Sequence, residues 1–179
     1  IRTWADVLSP LSPIAENKVL GLWGELVVLR QSENISQTLA GWHVRADSKY
    51  DFDLGSGHVL EVKTTVSGKR RHHFSDNQIN ASTPLGLQVC SILTMRSDLG
   101  QSVSELVADI LSELSEPNDV VSFLDRVNRV CRRMSPELDD LKWNLDMAID
   151  SMKWFPLSEL QCPDYDFPLS EVSWVQEFS

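Results

Sequence analysis

YDFDLGSGHVLEVKTT, residues 50–65, sets two aspartates two apart, a reversal flanked by glycines, and then Glu61 and Lys63 two apart on an apolar run. A strand alternates its side chains between two faces, so Asp51 and Asp53 share one face of their strand, and Glu61 and Lys63 share one face of theirs. The turn decides whether all four share a face. A three-residue loop of Gly55, Ser56 and Gly57 uses the left-handed backbone region that glycine enters cheaply. It pairs Leu54 with His58, Asp53 with Val59 and Asp51 with Glu61. Both aspartates, Glu61 and Lys63 then project from one face, and Phe52, Leu54, Leu60 and Val62 from the other. A two-residue loop would instead put the aspartates on the face of Leu60 and Val62, which burial disfavours. Opposed Cβ atoms lie roughly 5 Å apart, so Asp51 and Glu61 would repel as bare carboxylates. A hard divalent cation removes that repulsion; magnesium takes oxygen ligands at about 2.1 Å and keeps several waters.

The rest of the chain is read outward from this hairpin. Residues 1–16 read as a short helix and a lead-in loop. Residues 17–30, NKVLGLWGELVVLR, are apolar on nearly every side, the mark of a buried helix. Gly21 and Gly24 are easiest to accept there if another element approaches the backbone closely. Glu25 inside this helix is either an exposed residue or a buried carboxylate that wants a cation or donor. Residues 31–41 read as a polar connection and 42–46 as a first strand. After the hairpin, VSGKRRHHF (66–74) carries the densest positive charge: Lys69, Arg70 and Arg71, then His72 and His73. It is read as a basic turn, either merely solvated or able to reach phosphates. Residues 75–79 suggest a short capped helix carrying Gln78, and 85–95 a buried central strand.

Two amphipathic helices are then expected, one opened by a Ser102–Glu105 capping box and one capped by Asn118. On the second, Arg126, Arg129 and Arg133 form a basic ridge that is solubilising or a second phosphate contact. A third helix is expected over 137–149, and edge strands over 154–157 and 172–178.

Composition narrows the classes. With 179 residues, 20.2 kDa and 42% hydrophobic residues, one globular domain over 1–179 is expected, its core at about 14–133 and a helix with edge strands in 134–179. Acidic residues outnumber basic ones 26 to 16, a net charge of −10, which argues against holding nucleic acid by bulk electrostatics. Cys90, Cys131 and Cys162 are scattered, so a reduced, cytoplasmic protein without a thiol zinc site is expected. No run approaches the ~18 apolar residues of a membrane span. Because Ile1 rather than Met comes first, a fragment of a longer protein is expected. There is no phosphate-binding GxxxxGK[ST] loop, GxGxxG, HExxH or GxSxG.

A helical Glu, an acidic strand and an E-x-K strand, in that order, resemble the PD-(D/E)XK nuclease superfamily. The longer pattern, GLWGEL (21–26), DF (51–52), EVKTT (61–65) and HFSDNQI (73–79), resembles the PD-(D/E)XK motif proteins of restriction and phage-defence loci. The resemblance implies an α/β, restriction-endonuclease-like core, a mixed central sheet flanked by helices. It implies magnesium-dependent DNA endonuclease activity, with manganese able to substitute. By position, Asp51 and Glu61 would bind the metal, Glu25 would ligate or orient, and Lys63 would orient or deprotonate the attacking water. Tyr50 stands where the superfamily has proline, which leaves Asp51 and Asp53 as alternative ligands; the register favours Asp51. Lys69, Arg70, Arg71, His73 and Gln78 are the substrate-binding candidates. DNA is the implied partner, with other subunits of a defence system or a second copy of the chain as further partners and no membrane. The alternative is a catalytically inactive nuclease-like module for nucleic-acid binding or assembly.

Overall fold

Strand β2 (His58–Thr65) sends alternate side chains into two different cores. The computed structural model describes residues 13–43, 48–75, 78–79, 83–84, 86–131, 141–160 and 173–178. In it β2 pairs antiparallel with β1 (Phe52–Gly55) and parallel with β4 (Gly86–Leu93), whose other edge carries β6 (Lys153–Pro156) antiparallel. This is a mixed four-strand sheet flanked by helices, the α/β architecture expected of a restriction-endonuclease-like core. Leu60, Val62 and Phe52 pack on helix α1 (Pro13–Arg30), against Val19, Leu22, Trp23, Leu26 and Leu29. Val59, with Leu87 and Val89, enters a second cluster on the opposite side with Phe74, Phe155 and Phe178.

A second, two-stranded sheet joins β3 (Arg70–Ser75) to β7 (Ser173–Phe178). It docks through Phe178, whose ring stacks on Phe155 at 4.2 Å between centroids. Segment 70–75 is therefore a strand and not the basic turn expected. Arg70, His72 and Phe74 point inward while Arg71 and His73 face solvent. That alternation is carried by a partner strand at the other end of the chain, which local sequence cannot announce.

The hairpin reaches the expected Asp53–Val59 pair by a different turn, and His58 pairs with Gly55 and not with Leu54. Gly55 pairs with His58, so the loop is Ser56–Gly57. Both loop residues have positive φ (52° and 77°), as a two-residue type I′ turn requires. An irregularity between Asp53 and Gly55 absorbs one residue and restores the pairs Asp53–Val59 and Phe52–Leu60. The bulge releases Leu54 to solvent at 48% exposure, where burial had been expected.

Other elements depart from expectation where tertiary partners decide. The polar stretch 31–41 contains helix α2 (Ile35–Gly41), capped by the Asn34 side chain accepting from the Gln37 amide. Trp42 makes a single bridge to Phe52, His43 leaves the expected strand in a turn with positive φ, and residues 44–46 of that strand lie outside the described residues. Gln78 and Ile79 close a turn onto the Ser75 carbonyl; residues 76–77 of the helix expected there lie outside the described residues. Strand β5 (Arg96–Gln101) was not expected, and it is held by bridges from Arg96 and Gln101 to Trp143. Helix α3 (Val103–Glu113) has the expected capping box. Helix α4 (Pro117–Cys131) starts one residue before its expected cap, with proline at its first position. Helix α5 (Leu145–Ser151) starts later than expected, because Asn144 caps it by accepting from the Met147 amide while Trp143 is committed to β5. Residues 137–140 of that expected helix and 1–12 of the expected lead-in 1–16 lie outside the described residues, while 13–16 form the first turn of α1.

Close approach of α1 to β2 places the site. A Cβ on Gly24 would lie 1.8 Å from Thr64 Oγ1 and 3.0 Å from Thr64 Cβ, so only glycine lets the helix settle at this depth. Gly21, by contrast, faces open space. Gly24→Ala should therefore destabilise the fold by about 1–3 kcal/mol in denaturant unfolding. Adding Thr64→Ala should recover part of that loss, and strictly additive effects in the double mutant would contradict the contact.

Candidate metal centre

Glu25 lies one residue beyond this contact, with its side chain 12% exposed. Its Oε2 accepts from the Trp42 indole Nε1 at 2.9 Å and meets His43 Nε2 at 2.6 Å. Backbone pairing brings His43 there: Trp42 bridges Phe52, and the His43 amide donates to the Asp51 carbonyl at 3.0 Å. Arg126 of α4 fixes the approach, its guanidinium donating to the carbonyls of Leu39, Ala40 and Trp42. Of the basic ridge expected at Arg126, Arg129 and Arg133, Arg126 is thus a clamp on the end of α2, and Arg133 lies outside the described residues. His43 itself has φ 41°, a left-handed conformation uncommon for a residue with a side chain.

Asp51 lies just before β1 and continues the ladder with its side chain. Its Oδ2 accepts from the Val62 amide at 2.7 Å. Ligand atoms of Glu25, His43 and Asp51 all lie within 4.8 Å of one another, close enough to hold one metal ion. Beside them, Glu61 is buried at 5% exposure. Lys63 Nζ is 2.7 Å from Glu61 Oε1 and 3.3 Å from Gln78 Oε1. The Gln78 amide also donates to Glu61 Oε1, and its oxygen accepts from the Ser75 amide at 3.2 Å. Gln78 therefore ties glutamate and lysine into one unit, and the Phe74 ring lies 5.0 Å below Lys63 Nζ.

Electrostatics favours a cation here. Burial raises the Asp51 pKa well above its ordinary range, and the carboxylates of Glu25 and Glu61 raise it further; the Val62 amide and Lys63 act the other way. Glu61 is raised too, by burial first, with Lys63 and Gln78 opposing. Crowded carboxylates that resist joint ionisation, set next to an imidazole, are a donor set that fits a divalent cation.

Not every candidate residue gathers here. Asp53 is exposed, and its Oδ1 accepts from the Gly55 amide at 3.0 Å. Arg70 is buried, donating to Ser91 O at 2.6 Å and to the Ser151 carbonyl. His72 is held at 2.7 Å from Ser91 Oγ, and burial with nearby positive groups lowers its pKa to about 4. Arg71 and Lys69 approach Glu177 at 2.8 and 3.9 Å. With Phe74 turned toward Lys63, His73 and Arg71 occupy the opposite face of β3, away from the carboxylates. His43 was not singled out from sequence. No spacing rule links it to Asp51; only the pairing of 42–43 with 51–52 does.

A carboxylate–imidazole cluster that could hold a metal, beside a Glu-x-Lys strand on a mixed sheet, is the arrangement of a PD-(D/E)XK nuclease. The chain belongs to the family described as "Putative PD-(D/E)XK family member, (DUF4420)", whose model matches residues 1–154. No curated protein and no solved structure matches it. Among the described residues, no helix is long and apolar enough to cross a membrane.

The raised Asp51 pKa has a measurable sign. Between its ordinary value of 3.8 and its higher folded value, the folded state binds more protons than the unfolded one, so stability falls as pH rises through that window. Asp51→Asn keeps an oxygen for the Val62 amide without the charge. In EDTA near pH 7.5 it should melt above wild type, by roughly 2–4 °C for each kcal/mol relieved. The gap should close on acidification; equal melting temperatures at neutral pH would contradict the like-charge reading.

Proposed function

We propose that the chain is a divalent-metal-dependent endonuclease that hydrolyses phosphodiester bonds of DNA, in a cytoplasmic restriction or phage-defence system. The observation that carries this reading is the convergence of Glu25, His43 and Asp51 beside a glutamate–lysine pair in a PD-(D/E)XK family member. Asp51, Glu61 and Glu25 would hold the cation, magnesium or manganese. Bound there, it would neutralise charge on the phosphoryl oxygens and make a coordinated water more acidic.

The chain's own groups do the rest. Lys63, kept close by Glu61 and Gln78, would orient the attacking water through its N–H groups or, as the free amine, accept the water's proton. Gln78 fixes both partners at once, which limits the rotamers that Lys63 can take. Trp42 pins Glu25 through its indole N–H. Arg71 and His73 face away from the carboxylates of the candidate site, and with Lys69 just before them they would grip a part of the nucleic acid remote from the cleaved bond. The outward-facing basic residues also suit a module that binds nucleic acid without cleaving it, and the net charge of −10 suits one that serves assembly.

Supercoiled plasmid with magnesium or manganese separates the readings. The wild type should nick or linearise it, and Lys63→Ala should lower the rate about 10²-fold or more while retaining calorimetric metal binding. Cleavage at the wild-type rate by Lys63→Ala, or plasmid binding without cleavage by the wild type, would overturn the nuclease assignment.

A further inference from the structure

We infer that His43 is a nitrogen ligand that tunes this centre toward first-row transition dications such as manganese and cobalt, at the expense of magnesium. The inference rests on reading Glu25, His43 and Asp51 as a cation site. An all-oxygen set of carboxylates and waters suits magnesium. An imidazole in the set changes the order, because nitrogen donors gain affinity along the first transition row while magnesium gains little from them.

His43 is built into the centre and not merely adjacent to it. Nε2, the ring atom at 2.6 Å from Glu25 Oε2, is the one aimed at the carboxylates. The peptide leading into the ring is fixed at both its N–H and its C=O. The His43 amide is held by the Asp51 carbonyl at 3.0 Å, and the carbonyl of the preceding Trp42 accepts from Arg126. The residue holds its left-handed φ of 41° within these bonds. Glu25 is held independently by the Trp42 indole, so it can stay in place when the imidazole exchanges its hydrogen bond for a metal. The His43 side chain is 26% exposed, which leaves a route for an ion to enter.

Titration calorimetry with magnesium, manganese or cobalt chloride tests this on the wild type and two variants. His43→Asn suits a left-handed φ and offers an oxygen in place of nitrogen; His43→Ala removes the donor. Melting curves in EDTA establish that each variant is folded. The wild type should bind with affinity rising steeply from magnesium through manganese to cobalt, with cobalt giving the visible spectrum of a nitrogen-ligated ion. Both variants should lose more than about tenfold in cobalt and manganese affinity. Magnesium affinity should change much less, and the nitrogen-dependent spectrum should vanish. Unchanged metal ratios and an unchanged cobalt spectrum in folded variants would overturn the role of His43 and leave the cation site standing. Failure of the wild type to bind any of the three ions would overturn the site and the inference together.

Discussion

The Asp51 carboxylate, accepting the Val62 amide at the open end of the β1–β2 ladder, is the contact on which the site depends. By replacing a main-chain acceptor it fixes a charge at the sheet edge, where burial and two further carboxylates oppose its ionisation. Its backbone carbonyl simultaneously holds the His43 amide, so the residue that supplies the charge also positions the imidazole. Glu25 arrives from the helix whose depth is set by Gly24 against Thr64. Each of these groups is positioned by backbone pairing or helix packing.

Two sides of β2 divide the work. The side facing α1 contributes Leu60 and Val62 to the larger core, and Glu25 comes from that helix. The other side carries Glu61 and Lys63 above Phe74, braced by Gln78. Asp51, at the end of the neighbouring strand, is electrostatically coupled to Glu25 and Glu61 alike, and so joins the two halves into one centre. Holding several carboxylates this close costs stability, a cost proteins tolerate at functional sites and that a bound cation repays.

What was legible in the sequence follows from how local each cause is. The buried helix, β2, β4 and the Ser102–Glu105 cap are written in local apolarity and capping chemistry, and they form where read, the helix starting four residues earlier at Pro13. The Asp53–Val59 register was legible because burial of Phe52, Leu60 and Val62 leaves no other choice, although the chain reaches it with a two-residue turn and a bulge. Non-local partners hid the rest. Arg70 reads as a surface cation until Ser91 and Ser151 surround it. Strand β3 reads as a turn until β7 pairs with it, and β5 has no β-prone pattern apart from Trp143. Arg126 reads as part of a solvated ridge until the end of α2 arrives beneath it. His43 reaches the carboxylates only through the pairing of 42–43 with 51–52, which no local pattern encodes.

The central claim, that Asp51 anchors a single divalent-cation site, is tested most directly by crystals soaked in manganese chloride and measured for anomalous scattering. The account predicts one strong peak within coordination distance of Asp51, with Glu25, His43 or Glu61 completing the protein ligands. No peak at Asp51, or manganese bound only at exposed acids such as Glu113 and Glu116, would contradict it.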